Sequence, residues 1–375
     1  MKRFGNLFTT ICSMDNLRLA DMKARKQKGH QKGVKEFDRD REANLQALHQ
    51  SLVDGSYRTS AYRVFPIYEP KERMIYMLPY KDRIVHHALM NILEGILVPT
   101  FTADTYSCVK GKGVHKANEG LKRALKDRPC TQYCLQLDVR KFYPTVDHEI
   151  LKQILRRKIK DKQLLALLDS IIDSAEGIPI GNYLSQYFAN LYMTYFDHWL
   201  KEVKKVRYYF RYADDIVILA SNKAELHQLL ADIRTYLSIN LKLSIKGNYQ
   251  IYPVPSRGID FVGYVNDHEH TRVRKRIKQN CARRLKKGCR KETMASYLGW
   301  FKHGNCKHLT KKLFINDPFQ RNEHPAAKQP LCGEQSKYTR HFKRKYRSTP
   351  VQDSGFETGT GQRERPVPPP ADTEG

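Results

Sequence analysis

Two adjacent carboxylates, Asp214 and Asp215, stand between an apolar-aromatic run, Val206 to Arg211, and a second apolar run, Ile216 to Leu219. Two β-rich segments closing on Tyr212-Ala213-Asp214-Asp215 predict a hairpin with acids at its tip. Neighbouring carboxylates repel, and folding alone gives little reason to place them together. A divalent cation removes the repulsion, and oxygen ligands suit Mg²⁺. A second acid fits the same site. In Tyr133-Cys134-Leu135-Gln136-Leu137-Asp138, Leu135 and Leu137 alternate with polar residues, which predicts another strand ending in Asp. Two metals about 3.5–4 Å apart stabilise the attacking and leaving oxygens of a displacement at phosphorus. The alternative from spacing alone is a pair of unrelated carboxylates in turns.

The neighbouring segments favour the shared site. From about Ser51 to about Asn266 the chain carries six segments in order: Arg73 to Arg83, Tyr106 to Gly113, Leu137 to Tyr143, Gly177 to Gln186, Tyr212 to Asp215, and Gly258 to Tyr264. This order resembles that of reverse transcriptases. The resemblance implies an α+β right-hand polymerase fold with fingers, an antiparallel-sheet palm and a helical thumb. It implies an RNA-directed DNA polymerase whose Asp138, Asp214 and Asp215, with the Val139 carbonyl, hold two Mg²⁺ ions. Lys71, Arg73, Tyr143, Ile180, Gly181, Gln186 and Lys246 would serve the dNTP. Tyr143 would exclude a 2′-hydroxyl, or else pack as a strand-end tyrosine. Lys246 would protonate pyrophosphate, or else be a solvated lysine after a strand over 241–245. Gly263 and Tyr264 fall in a primer-grip-like hairpin.

The pocket segment narrows the subclass. Most bacterial reverse transcriptases carry Gln-Gly-x-x-x-Ser-Pro there, and this chain has Ile180-Gly181 and Ser185-Gln186. That pattern is similar to reverse transcriptases of diversity-generating retroelements. The resemblance implies error-prone cDNA made from a template-repeat RNA, mainly with changes opposite adenine, for a variable gene. It also implies an oligomeric accessory variability protein as partner. The alternatives are a group II intron-like or phage-defence reverse transcriptase, and a non-catalytic RNA-binding scaffold.

Charge points the same way. The 375 residues carry a formal net charge of +28, which favours a polyanionic partner. Between His270 and Ile315 fifteen Lys or Arg face one acid, Glu292. Half of the net charge thus lies in this stretch, where Arg283, Arg284, Lys286 and Lys287 are candidate contacts to an RNA–DNA hybrid. No apolar run is long enough to span a bilayer and no signal peptide is read at Met1-Lys2-Arg3, so the expected location is the cytoplasm of a bacterium, with a bacterial or phage gene. The eight cysteines form no Cys-x-x-Cys pair, and reduced thiols are preferred over a zinc site around Cys281, Cys289 and Cys306.

The expected domains are an N-terminal extension with fingers over 1–130 and a palm over 131–265, with an inserted fingers helix near 177–200. A basic helical thumb over 266–315 and a disordered tail over 316–375 follow. One or two helices are expected before residue 50, and single helices over 83–97, 148–172, 185–200 and 223–237.

Overall fold

The computed structural model of the chain describes residues 3–68 and 72–314. Lys71 and the expected tail lie outside the described residues. Four helices open the chain: α1 (Phe8–Cys12), α2 (Met14–Ala24), α3 (Lys32–Phe37) and α4 (Arg41–Val53). Only one or two were expected. Ser13 adds a break, because its side chain caps α2 by accepting from the Asn16 N–H. Strands β1 (Arg63–Tyr68) and β2 (Glu72–Met77) pair antiparallel. Pro66 is tolerated in β1 because this two-stranded sheet leaves an edge unpaired. Helix α5 (Tyr80–Leu97) follows. Asp21, fully buried on α2, accepts from Arg25, Arg41 and the Tyr80 hydroxyl, which ties α2 and α4 to α5.

Next come α6 (Val114–Ala124), β3 (Tyr133–Asp138), α7 (His148–Arg156) and α8 (Lys162–Ile172). The single helix expected over 148–172 is therefore two. Asp161 causes the break: it caps α8 through the Leu164 N–H and also accepts from the N–H groups of Leu7 and Phe8. A contact from the far end of the chain thus sets a local boundary. Helix α9 (Tyr183–His198) runs on through a π turn over Trp199–Val203, and then come β4 (Tyr208–Tyr212), β5 (Asp215–Ala220) and α10 (Lys223–Leu241).

The strand expected over 241–245 is a second correction. Leu241 closes α10, and Lys242 takes the left-handed conformation that ends a helix (φ 50°). Only Ile245 pairs, in a single bridge to Val139. The chain continues as β6 (Gln250–Pro253), α11 (Val254–Arg257), β7 (Ile259–Phe261), β8 (Tyr264–Asn266) and β9 (Thr271–Val273). It then enters α12 (Lys275–Lys286), α13 (Lys291–Lys302) and α14 (Lys307–Phe314). The boundary expected at 265/266 falls inside β8, which pairs with both β7 and β9.

The central sheet has the order β4-β5-β3-β6, all antiparallel. Both faces are covered, which explains the unbroken apolar run in β5. Ile216 and Ile218 join Leu135, Leu137 and Tyr209 in the main core with α5, α7, α8, α9 and α10. Val217 and Leu219 face the other way, toward Leu121 of α6 and Phe261 of β7. A third core, Tyr264, Val273, Cys281, Phe301 and Cys306, joins the β7-β8-β9 sheet to α12–α14.

Candidate active site

The hairpin and the neighbouring strand bring the three acids together. Tyr212 pairs with Asp215, so Ala213 and Asp214 form the two-residue turn between β4 and β5. Ala213 takes a positive φ of 56°, which is uncommon outside glycine and tightens the tip. Asp138, the last residue of β3, lies directly across from Asp215. The Val139 N–H donates to the Asp214 carbonyl at 3.2 Å. An extended residue presents its N–H and C=O to one side, so the Val139 carbonyl also faces the Asp214 turn.

The electrostatics are those of crowded anions. Burial, then the charges of Asp138 and Asp214, push the Asp215 carboxyl up to about 7. Burial and Asp138 raise Asp214 as well. One cation already answers this charge: Lys246 Nζ donates to Asp138 Oδ1 at 2.5 Å, and its backbone N–H donates to the Asp138 carbonyl. Lys246 is thus a partner of the cluster and not a solvated strand lysine. Among the described residues no set of three or more His, Cys, Asp or Glu side chains is disposed to close a coordination sphere, the Cys281–Cys289–Cys306 region included. The donor chemistry still fits a hard divalent cation: three carboxylates and a carbonyl, with two of the acids raised by burial and mutual repulsion. Cys281 and Cys306 are buried thiols of the third core.

Beneath the turn lies a network that sequence reasoning missed. Arg211 and Asp197 are both fully buried and joined at 2.5 Å. Asp197 also accepts from the Tyr209 and Thr105 hydroxyls at 2.6 and 3.0 Å. Arg211 Nη1 donates to Asn190 Oδ1 and to the Ala213 carbonyl, both at 3.1 Å. The guanidinium therefore reaches the residue before Asp214 and anchors the tip to α9. The available signal was a charged residue inside each of two apolar segments, Arg211 in β4 and Asp197 in α9.

The pocket segment is held from two sides. The Ile178 N–H donates to the Tyr143 carbonyl at 2.9 Å, and the Ile180 carbonyl accepts from the Tyr76 N–H of β2 at 2.8 Å. Gly177 and Gly181 adopt positive φ. A Cβ on either would lie 2.5 Å from the Tyr143 carbonyl oxygen or 2.7 Å from that of Tyr76. Tyr143 is half-buried. Its phenol is pushed up to about 12, first by burial and then by Cys108 and Asp214, with Arg73 acting the other way. Ile180 is half-buried, while Gln186 is exposed in the first turn of α9.

The hairpin after the sheet departs from expectation. Tyr264 is fully buried and its hydroxyl bonds His115 Nδ1 and the Trp300 carbonyl. Gly263 is buried against the Trp300 ring. Neither side chain position is open to a nucleic acid; both pack the hairpin on α13. The burial follows from the β8 alternation, in which Tyr264 and Asn266 face inward. Val262, half-buried with φ 44°, occupies the tip. In contrast, Arg283, Arg284, Lys286 and Lys287 are all exposed at the end of α12.

The chain is similar to several known proteins. The chain is 26% identical over 279 residues to Protein YkfC of Escherichia coli (strain K12), a match covering 62% of this chain and 72% of that protein. It is 24% identical over 177 residues to the Group II intron-encoded protein LtrA of Lactococcus lactis subsp. cremoris, covering 44% of this chain and 29% of LtrA. An uncharacterized 91 kDa protein in a cob intron of Schizosaccharomyces pombe is 23% identical over 206 residues, covering 50% of this chain and 25% of that protein. The match therefore spans most of YkfC but under a third of the two intron proteins. Apo telomerase from Candida tropicalis aligns with a TM-score of 0.46 at 13% identity, over 67% of this chain and 54% of that one. The family model described as reverse transcriptase (RNA-dependent DNA polymerase) matches residues 69–264, just over half the chain and the whole span of the acids and their supports. The chain belongs to the reverse transcriptase family, the RNA-directed DNA polymerases, and has its right-hand fold.

Proposed function

We propose that the chain copies a template-repeat RNA into error-prone cDNA for diversification of a variable gene, as in a diversity-generating retroelement. The observation that carries this reading is Ile180. Its carbonyl is fixed by Tyr76, so the backbone of the loop is held while the side chain offers shape and no hydrogen bond. Lost positioning of the incoming nucleotide can shrink discrimination by about 1–2 kcal/mol, roughly tenfold in error rate. The intron-type relatives favour a second reading, a group II intron-like reverse transcriptase.

Asp138, Asp214 and Asp215, with the Val139 carbonyl, would hold two Mg²⁺ ions. These ions, when bound, supply charge for the attacking primer 3′-hydroxyl and the leaving pyrophosphate. Arg73 would grip the triphosphate with its planar guanidinium, Lys71 would assist it, and Lys246 would release Asp138 and meet the pyrophosphate. The Tyr143 phenol, neutral at pH 7, would lie under the sugar and exclude a 2′-hydroxyl. The fingers, palm and thumb would divide near 130 and after β9, beyond Val273. An oligomeric accessory protein would bind the basic surface, with RNA as the bridge. No helix of the described residues is long and apolar enough to cross a membrane, and the proposed compartment is the bacterial cytoplasm.

Sequencing of cDNA made on one RNA containing all four bases tests the reading. Wild type should misincorporate mainly opposite adenine, and Ile180→Gln should lower that rate about tenfold. Accurate wild-type synthesis favours the intron-like reading. Asp214→Asn should abolish extension in either case, and retained Mg²⁺-dependent synthesis would remove the metal assignment.

A further inference from the structure

His148, the first residue of α7, sits between the end of α8 and the start of the pocket segment. Its Nδ1 lies 3.1 Å from Asp173 Oδ1, and its Nε2 lies 2.8 Å from the Gly177 carbonyl oxygen. Both partners are acceptors, since neither a carboxylate nor a carbonyl has a proton to give. A neutral imidazole carries one N–H and serves only one of them. The bridge is therefore complete only when both ring nitrogens are protonated. The side chain is 22% exposed, so water reaches the ring and the proton can come and go in the folded protein.

The charges around the ring come from three elements. On α7 itself, Lys152 pairs with Asp173 at 2.8 Å and with Glu149 at 3.0 Å. Asp147, the N-cap of α7, pairs with Lys242 at 2.6 Å. From the end of α8 comes Asp173, and from the following loop Glu176, both exposed. Gly177 is the point at which a small movement matters. It takes a φ of 58°, and a Cβ there would meet the carbonyl oxygens of Tyr143 and Pro144 at 2.5 and 2.6 Å. The next residue, Ile178, donates to the Tyr143 carbonyl at 2.9 Å. The backbone of the segment thus rests against the 143–144 turn, and His148 is its second hold.

We propose that His148 is a positioning residue for the nucleotide pocket, and that its doubly protonated ring locks Gly177, and with it Ile178, beside Tyr143. This role rests on the reading of the 177–186 loop as the dNTP pocket. When the ring loses one proton, the remaining N–H stays with the stronger partner. A hydrogen bond to an ionised group is roughly twice as strong as one between neutral groups. Nδ1 therefore keeps its proton for Asp173, and Nε2 turns a lone pair toward the Gly177 oxygen. Two acceptors at 2.8 Å repel, and the loop is released. The pocket is held at low pH and loosened as the ring deprotonates.

Long-range ¹H–¹⁵N spectra of the full chain without nucleotide read the ring directly. On raising the pH, Nε2 should lose its proton while Nδ1 keeps it. Asp173→Asn separates the ring from the loop, because its amide can donate to Nδ1. A neutral ring with its proton on Nε2 then completes the bridge, and this variant should hold the loop at every pH. Hydrogen exchange at the Ile178 amide, taken as the ratio of wild type to Asp173→Asn, should therefore rise as wild-type His148 titrates. His148→Gln can donate one amide N–H to Gly177 without titrating, so it should behave as Asp173→Asn does. Single-nucleotide extension gives the functional readout. From about pH 5 to about pH 8 the wild-type KM for dNTP, relative to Asp173→Asn, should rise about fivefold, the worth of one hydrogen bond. The relative kcat should change less. Taking the ratio removes the titration of the acid cluster and of the triphosphate, which both proteins share. Loss of the proton from Nδ1 in place of Nε2, or an exchange ratio that does not follow the ring, would overturn the lock and leave the pocket reading intact. A ring and loop that titrate together with a flat KM ratio would show that the loop does not hold the dNTP, and would overturn the positioning role.

Discussion

At the scale of single residues the acids are easy to see and their supports are not. Asp138, Asp214 and Asp215 each end or start an apolar run, and the runs pair as their alternation predicts. Arg211 shows in the sequence only as a charge in an apolar segment, because its role is fixed from two other segments, by Asp197 and Asn190 of α9 and by Thr105. Its value can be argued from burial. Both members of the pair are fully buried, so removing one leaves an uncompensated charge in the core, at a cost of about 3–5 kcal/mol. Arg211→Ala should therefore lower the urea midpoint sharply. Arg211→Met combined with Asp197→Asn should recover much of the loss, since a neutral amide still accepts from Tyr209 and Thr105 and leaves no buried charge. A cost below about 1 kcal/mol for Arg211→Ala would mean that water reaches the pair.

Elements show where alternation and periodicity mislead. Leu241, Leu243 and Ile245 alternate as a strand should, but Leu241 belongs to α10 and Leu243 reaches the core only after the left-handed turn at Lys242. The pattern is a helix terminus crossing into one bridge, and local sequence does not distinguish the two. The 148–172 segment has helical periodicity throughout, and its break at Asp161 combines a local cap on Leu164 with contacts from the distant Leu7 and Phe8. The β7–β8 hairpin is the opposite case, since Val262-Gly263 is legible as a turn while its packing is not. A Cβ at Gly263 would meet Trp300 Cζ3 at 2.5 Å, Cη2 at 2.8 Å and Ile277 at 3.1 Å, at a φ of 91°. Backbone strain and overpacking both oppose Gly263→Ala, at about 1–3 kcal/mol. The damage should be local to the third core. Hydrogen exchange should rise in α12 and α13 while β3 and β5 remain protected. Uniform loss of protection would show instead that the third core is not a separate unit of stability.

For the molecule as a whole, composition points to a polyanionic partner, and the fold shows where part of the charge is displayed. Arg283, Arg284, Lys286 and Lys287 are exposed at the end of α12, and the apolar side of the same helix closes the third core through Cys281 and Leu285. A basic helix end of this kind presents phosphates with charge on one side and rests on packed hairpin and helices on the other. If it holds an RNA–DNA hybrid, each contact releases condensed counterions, and the affinity falls steeply with salt. Replacing all four with Gln should weaken hybrid binding and reduce the slope of log K against log salt by up to about 3 units. Stability should hardly move, because exposed side chains away from packing rarely shift it by more than about 0.5 kcal/mol. The substitutions should also act equally on RNA–DNA hybrids of any sequence, since backbone charge carries no base information. Binding isotherms at several salt concentrations give both numbers from one series. A slope unchanged by the four substitutions would assign this end of α12 to solvent or to a protein partner, and would move the duplex contact to the remaining basic surface of the chain.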